Sequence, residues 1–300
     1  VAYVMDGLMG KMGLSGRAFI PMLLGFGCTV PAIMSARTLE DTRDRLRTIM
    51  VTPFMSCSAR LPVYVLFSKM FFGKFAMAAA FSMYVVGLIV AVIVALVYSK
   101  VMGRKEEKNC LLIELPEYKS PNARTIIIYV WEKVKDYLTK AGTTIFVGSV
   151  LLWVIMNFGP AGMVTDISDS FAASIGRFLV PVLAPAGLGL WQIGVALISG
   201  VAAKELVVSS CSVLFGMNIN SNIGVESFHY VLEGMGFGTV NAYALMIFCL
   251  LYIPCMAAIA TIRKETNSWR WTIGMMVMQL LIAWGMAVIV FQVGSMLIGG

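Results

Sequence analysis

Long apolar runs separated by short polar segments dominate the chain. A helix needs about 20 apolar residues to cross the hydrocarbon core of a bilayer. Two runs, 75–99 and 272–297, reach that length without interruption. The run 141–159 is shorter, and the run 240–262 has Pro254 inside it. These four runs predict helices that span a membrane.

Other apolar runs contain residues that a straight spanning helix does not tolerate. Prolines interrupt 17–36 and 48–72, and a lysine and a glutamate stand side by side within 191–213. The run 177–191 is short and rich in proline and glycine. Because proline removes a backbone donor and clashes with the preceding turn, we expect broken helices, and a re-entrant piece at 177–191.

Composition and charge agree with this pattern. The chain is 59% hydrophobic and 13% charged, whereas soluble domains average about 25% charged residues. The net charge is +7, and basic residues gather at 36–47, 100–108 and 263–270. Since Lys and Arg favour cytoplasmic loops, these three segments are predicted to face the cytoplasm. We expect an all-α polytopic membrane protein in contact with the lipid bilayer, with no soluble domain to bind nucleic acid.

Residues 100–140 are predicted to form a cytoplasmic insert. In the segment 125–141, Ile128, Trp131 and Leu138 share one helical face, while most charged residues lie elsewhere. This spacing indicates an amphipathic helix. Such a helix lies on the membrane surface or packs on the cytoplasmic face of the protein itself, and the spacing favours neither.

The stretch GFGCTVPA combines features that suit a cation pathway. Gly25 and Gly27 allow backbones to approach closely, and Pro31 frees the carbonyl of Gly27. Inside a membrane, such a carbonyl needs protein or a water-filled cavity beside it. A cation would satisfy it, and Cys28 would add a sulfur ligand suited to softer transition metals. The alternative is a proline kink with a packing thiol.

The stretch PFMSCSARLP repeats this combination. Cys57 follows the hydroxyl of Ser56 and lies between two prolines, of which Pro62 is the second. Arg60 places a charge deep in an apolar run, where charged side chains are costly and usually face a cavity or a partner. A second thiol beside a break is therefore a second candidate ligand.

A third thiol follows a third proline, since Pro254 directly precedes Cys255. Three kinks, each with one cysteine, predict that Cys28, Cys57 and Cys255 converge on one soft site. The alternative is three independent kinks. The two ends of the chain also show a weak internal similarity. A basic turn follows both Cys28 and Cys255 within nine residues, which suggests two repeats with broken helices.

Lys204 and Glu205 are adjacent, so they cannot pair with each other on a helix. Glu205 is a candidate cation ligand or proton carrier. The alternative is an ion pair, of Glu205 with Arg60 or of either residue with another opposite charge, that holds two helices together.

The amino-acid sequence of these stretches resembles the membrane core of FeoB-type ferrous iron transporters. The match is long over 25–67, which carries GFGCxVPA, ARTL…RDRL and PFMSCxARLPVY, and short at ELPEY (114–118), AKE (203–205) and LYIPC (251–255). The resemblance implies two gate-like repeats around a central FeoB segment. The expected division is a first repeat over 1–99, the insert over 100–140, a central segment with the re-entrant piece over 141–190, and a second repeat over 191–298.

The resemblance also implies Fe²⁺ transport across a bacterial or archaeal cytoplasmic membrane. Cys28, Cys57 and Cys255 are the implied iron-path residues, with Ser56 and Glu205 as secondary candidates. Gly25, Gly27, Pro31, Arg60, Pro62, Lys204 and Pro254 are the expected structural or gating residues. A homo-oligomer is a further possibility.

The family's GTP-binding motif does not occur in this sequence. GLMGKMG at 7–13 has the wrong spacing and lacks Ser or Thr after its lysine. The chain begins with Val1, and we expect a piece of a longer protein whose GTP and Mg²⁺ are bound by a separate G domain. This part is then not an enzyme.

Two alternatives to Fe²⁺ transport remain open. One is a gate-type carrier of a small organic solute such as a nucleoside, and the other is a metal-binding subunit that does not transport.

Overall fold

The computed structural model describes residues 2–101, 122–159, 162–164, 167–215 and 222–298, and these residues are almost entirely helical. The helices are α1 (Ala2–Lys11), α2 (Phe19–Gly25), α3 (Thr29–Ser35), α4 (Thr42–Val51), α5 (Leu61–Phe72), α6 (Ala76–Val101), α7 (Ala123–Asn157), α8 (Phe171–Leu183), α9 (Trp191–Ala202), α10 (Leu206–Leu214), α11 (Asn222–Gly234), α12 (Thr239–Leu251), α13 (Met256–Thr266) and α14 (Trp269–Ile298). The strand pairing found in these ranges is a two-residue antiparallel ladder of β1 (Phe158–Gly159) and β2 (Gly162–Met163). The expected all-α fold is confirmed.

Three helical stretches are long and apolar enough to cross a membrane: Thr42–Lys100, Thr239–Thr266 and Trp269–Leu297. A fourth span forms if the bent pair Phe171–Ala186 and Trp191–Ala202 counts as one, although the two helices meet at 101°. The chain is therefore a multi-pass membrane protein. The bend also confirms that 177–191 does not form a straight span.

The uninterrupted runs form straight helices. The run 75–99 lies in α6 and the run 272–297 lies in α14. Helix α6 packs along α5, and α14 packs along α12. Most of α12 is buried, including every residue from Ala244 to Leu251. The core of the protein therefore lies around α12, with the long helices outside it.

The predicted surface helix and the predicted span at 141–159 are one helix. Helix α7 runs from Ala123 to Asn157 without a break at residue 140. In its first half, the described side chains are exposed, among them Ile127 and Trp131. The segment therefore does not pack its apolar face on the rest of the described protein. The stretch ELPEY lies outside the described residues.

Side chains from later helices hold the bend between α8 and α9. The amide of Asn241 donates to the carbonyl of Gly187 at 2.7 Å, and the indole of Trp284 donates to the carbonyl of Val182 at 2.7 Å. Gly176 permits the close crossing of α8 and α9, because a Cβ there would lie 2.7 Å from the carbonyl oxygen of Trp191. This crossing directs the end of α9 towards the core.

Four helices are interrupted at the core. The breaks separate α2 from α3, α4 from α5, α9 from α10, and α12 from α13. Two pairs pack across the chain: α5 lies against α12, and α3 lies against α13. Residues that are distant in sequence therefore meet at the breaks.

Candidate functional site

The three candidate cysteines occupy the same kind of position. Each lies directly before a helical segment with an extended backbone: Cys28 before α3, Cys57 before the 3₁₀ turn Ser58–Arg60 that leads into α5, and Cys255 before α13. Cys57 is buried, and Cys28 and Cys255 are partly buried. The structure thus places one thiol at each of three helix breaks.

The breaks lie near one another. Cys255 lies close enough to Cys28, Cys57 and Lys204 to interact with them electrostatically. Arg60 has the same relation to Cys57 and Cys255. Among the described residues, no group of three or more His, Cys, Asp or Glu side chains is placed to hold a metal ion. The thiols are therefore neighbours without forming a complete coordination shell in this conformation.

The first break is closed by a donor from the second. The carbonyl of Gly27 accepts hydrogen bonds from the hydroxyl of Ser58 at 2.8 Å and from its backbone N–H at 3.2 Å. Helix α3 begins at Thr29, so Pro31 lies in its first turn, where a missing N–H costs nothing. The Gly27 carbonyl is outside both helices because α2 ends at Gly25 and Cys28 is extended, and not because of Pro31; Ser58 satisfies it.

Gly25 brings the first two breaks together. A Cβ at this position would lie 3.1 Å from the Cβ of Met55, which precedes Cys57 by two residues. That separation is tighter than most contacts in proteins, so a larger residue would push the two segments apart. Gly27, the other glycine of this stretch, has no comparably tight contact: a Cβ there would lie 3.4 Å from the carbonyl oxygen of Leu24.

Arg60 satisfies carbonyls of the second break. Its side chain is buried, and it donates to the carbonyl of Met55 at 3.1 Å and to that of Pro53 at 3.2 Å. Its Nε atom has no partner among the described residues. Pro62 occupies the first turn of α5, as a helix start favours. Nearby, the buried hydroxyl of Ser56 donates to the hydroxyl of Tyr64 at 3.3 Å.

Lys204 connects the break between α9 and α10 to the break between α12 and α13. It follows Ala203, whose extended backbone ends α9, and its side chain is buried. Its ammonium donates to the carbonyl of Ile253 and lies 3.2 Å from the centroid of the Tyr252 ring. Pro254 and Cys255 follow that carbonyl directly. Lys204 thus lies at the break between α9 and α10, and its side chain reaches a candidate ligand at the break between α12 and α13.

The alternative of an ion pair between Glu205 and Arg60 is not what the described residues form. Arg60 and Lys204 carry the same charge and lie within electrostatic range of each other. Across the described ranges, no carboxylate lies within ion-pair distance of either residue. Glu205 is exposed and lies directly before α10. Two buried cations at the breaks are therefore balanced by carbonyls, an aromatic ring and nearby thiols.

Sequence reasoning missed two parts of this arrangement. Tyr252 and the Ile253 carbonyl form the seat of Lys204, and the aromatic residue before the Ile-Pro-Cys run was the available signal. Glu265 was counted only as part of a basic turn. Its carboxylate is almost completely buried and pairs with Arg37 and Arg45, which connects α13 to the first part of the chain.

The fold and the breaks define a class: a polytopic all-α membrane protein whose interrupted helices bring thiols and buried cations together. Two family models match the chain. The Gate model, described as nucleoside recognition, matches residues 1–71 and 138–269. The model described as the ferrous iron transport protein B C terminus matches residues 80–133. The chain therefore belongs to the Gate family, and part of it is similar to the C terminus of ferrous iron transport protein B.

Curated relatives agree over almost the whole chain. It is 42% identical over 298 residues to "Fe(2+) transporter FeoB" of Staphylococcus aureus, a match that covers 99% of this chain and 44% of that protein. It is 38% identical over 305 residues to the protein of the same name from Methanocaldococcus jannaschii, again over 99% and 44%. The chain thus spans less than half the length of these relatives. No solved structure matches it.

Proposed function

We propose that this chain is the membrane permease part of a transporter that carries Fe²⁺ across the cytoplasmic membrane of a bacterium or archaeon. The observation that carries the proposal is that Cys28, Cys57 and Cys255 each lie at a helix break, with Cys255 within electrostatic range of the other two. The relatives named as Fe(2+) transporters support it. We also propose that a GTP-binding domain with Mg²⁺, outside these residues, regulates this part, which is itself not an enzyme.

The chemistry of the breaks suits Fe²⁺. Thiolate ligands select softer metals than Ca²⁺ or Mg²⁺, and backbone carbonyls replace hydration water. Ser56 supplies a hydroxyl near Cys57, and the Ile253 carbonyl lies two residues before Cys255. A site that conducts must also release its ion, so we expect weak ligation by few side chains at a time. Glu205 is exposed and is the weakest of the proposed ligands.

The direct test is uptake of radiolabelled Fe²⁺ by proteoliposomes that contain the full-length parent protein. We expect Cys28→Ser, Cys57→Ser and Cys255→Ser each to lower transport efficiency by about tenfold or more, as loss of a metal-supporting group commonly does. Cys211→Ser is the matched control, since Cys211 is buried within α10 and is not one of the three candidate ligands. Normal uptake by all three single variants and by the triple variant would rule out a thiol path.

The same assay separates the alternatives. A non-transporting metal-binding subunit binds Fe²⁺ but gives no flux. A nucleoside carrier would need polar side chains free to bind its solute. Asn241 already donates to Gly187, and Asn157 donates to the carbonyl of Trp153. Flux of a labelled nucleoside in place of Fe²⁺ would support the carrier. Whether the protein forms a homo-oligomer is measured separately, from the mass of the purified protein.

A further inference from the structure

A buried ammonium group donates a hydrogen bond to one of the backbone carbonyls at the proposed iron path. Lys204 donates to the carbonyl of Ile253, two residues before Cys255. Helix α12 ends at Leu251 and α13 begins at Met256, so this carbonyl lies between helices and takes part in neither. Its one described donor is Lys204. A lysine therefore stands where a cation would find an oxygen ligand beside a thiol.

The Tyr252 ring completes a cation seat. The ammonium of Lys204 lies 3.2 Å from the ring centroid, and aromatic faces attract cations. The hydroxyl of Tyr252 donates to the carbonyl of Leu197 at 3.3 Å, which ties the ring to α9. A Cβ at Gly200 would collide with that hydroxyl, so a glycine is needed to admit it. The seat is therefore built from both α9 and the break after α12.

A cation that enters this region approaches two basic side chains, Lys204 and Arg60. Lys204 lies within electrostatic range of Arg60, Cys57 and Cys255. No described carboxylate pairs with Lys204 or Arg60. Like charges repel strongly where water is scarce. An Fe²⁺ ion that binds Cys255 and the Ile253 carbonyl would therefore compete with the ammonium for that oxygen.

Lys204 can leave its seat more easily than Arg60. Arg60 donates to two carbonyls of its own break, those of Met55 and Pro53, through a rigid planar group. Lys204 has one described hydrogen bond, formed at the end of a flexible stem. Arg60 is thus a structural cation, whereas Lys204 is held by a single bond and a ring.

We propose that Lys204 is an internal cation of the transport site. It occupies the Ile253 carbonyl and the Tyr252 ring when the site is empty, and Fe²⁺ displaces it on binding. This inference rests on the proposed Fe²⁺ transport. The return of the ammonium to its seat lowers the affinity for Fe²⁺ and assists release of the ion. Lys204 is therefore a residue that sets affinity and turnover by competing with the substrate.

The test measures Fe²⁺ binding and Fe²⁺ transport on the same full-length protein under anaerobic conditions. Lys204→Met removes the charge and keeps most of the stem. We expect it to bind Fe²⁺ about tenfold tighter or more, because the competing charged hydrogen bond is gone, and to turn over more slowly. Lys204→Arg keeps the charge and should bind no tighter than the parent. Lys74→Met, at an exposed lysine of the turn Gly73–Phe75, should match the parent.

Each outcome decides the matter. If folded Lys204→Met binds Fe²⁺ with parental or lower affinity, the competition is refuted. If Lys204→Met does not fold, Lys204→Arg carries the test, and tighter binding by that variant refutes the inference. If the parent protein takes up no Fe²⁺, the proposed function fails and this inference fails with it. Parental uptake without tighter binding by Lys204→Met removes the inference alone.

Discussion

Glu265 is predicted to be the most important buried charge for stability at the end of α13. Its carboxylate accepts from the Nε of Arg37 at 2.8 Å through both oxygens. Arg45 donates to its Oε2 at 3.1 Å and to its backbone carbonyl at 2.9 Å. The pairs join positions 228 and 220 residues apart in sequence. Replacing Glu265 by Gln therefore removes the charge that holds the two ends of the described chain together.

The magnitude follows from burial. Removing one partner of a fully buried ion pair costs about 3–5 kcal/mol, because the other charge stays uncompensated. Here the Glu265 side chain is 2% exposed, but those of Arg37 and Arg45 are 41% and 33% exposed. Water solvates part of the charge left behind, as at surface pairs. We expect Glu265→Gln to lower the free energy of unfolding by about 2 kcal/mol. Arg37→Met leaves the carboxylate paired with Arg45 alone, and we expect a cost of similar size.

The assay is thermal unfolding of the purified full-length protein in detergent, followed by the loss of the monodisperse size-exclusion peak. Arg17→Met is the control, because its pair with Glu40 is exposed, and exposed pairs contribute about 0–1 kcal/mol. A double variant of Arg37→Met with Glu265→Gln should be less destabilised than the sum of the two. Equal unfolding midpoints for Glu265→Gln, Arg17→Met and the parent would refute the burial argument.

Two further predictions concern the breaks. Gly200→Ala should destabilise the protein by about 2 kcal/mol. Its Cβ would collide with the Tyr252 hydroxyl and a methyl group of Val207. Gly142→Ala is the control, because a Cβ at residue 142 meets nothing within 4 Å. Equal folded yields of the two variants on size exclusion would contradict this. Ser58→Ala should cost only about 1 kcal/mol, since the backbone N–H of residue 58 still donates to the Gly27 carbonyl. A loss as large as that of Gly200→Ala would show that the hydroxyl alone closes the first break.

The sequence alone was sufficient for features that depend on neighbouring residues. Uninterrupted apolar runs predicted α6 and α14, and prolines predicted the interruption between α12 and α13. The Pro- and Gly-rich run 177–191 predicted a bend. These features follow from local physics, because a helix needs apolar length in a membrane and proline removes a backbone donor. Local signals also misled once: apolar and amphipathic segments within 123–157 predicted two helices where one continuous helix forms.

Only the tertiary structure decided what each buried polar group contacts. Lys204 and Ile253 are separated by 49 residues in sequence, and no pattern indicates that the ammonium seeks a carbonyl instead of a carboxylate. The Gly27 carbonyl lies in the gap between α2 and α3, and Ser58, from another break, satisfies it. A membrane interior requires every polar group to find a partner, and it leaves the choice of partner to the packing of helices distant in sequence. Residue type therefore identified the thiols and cations, and packing determined their neighbours.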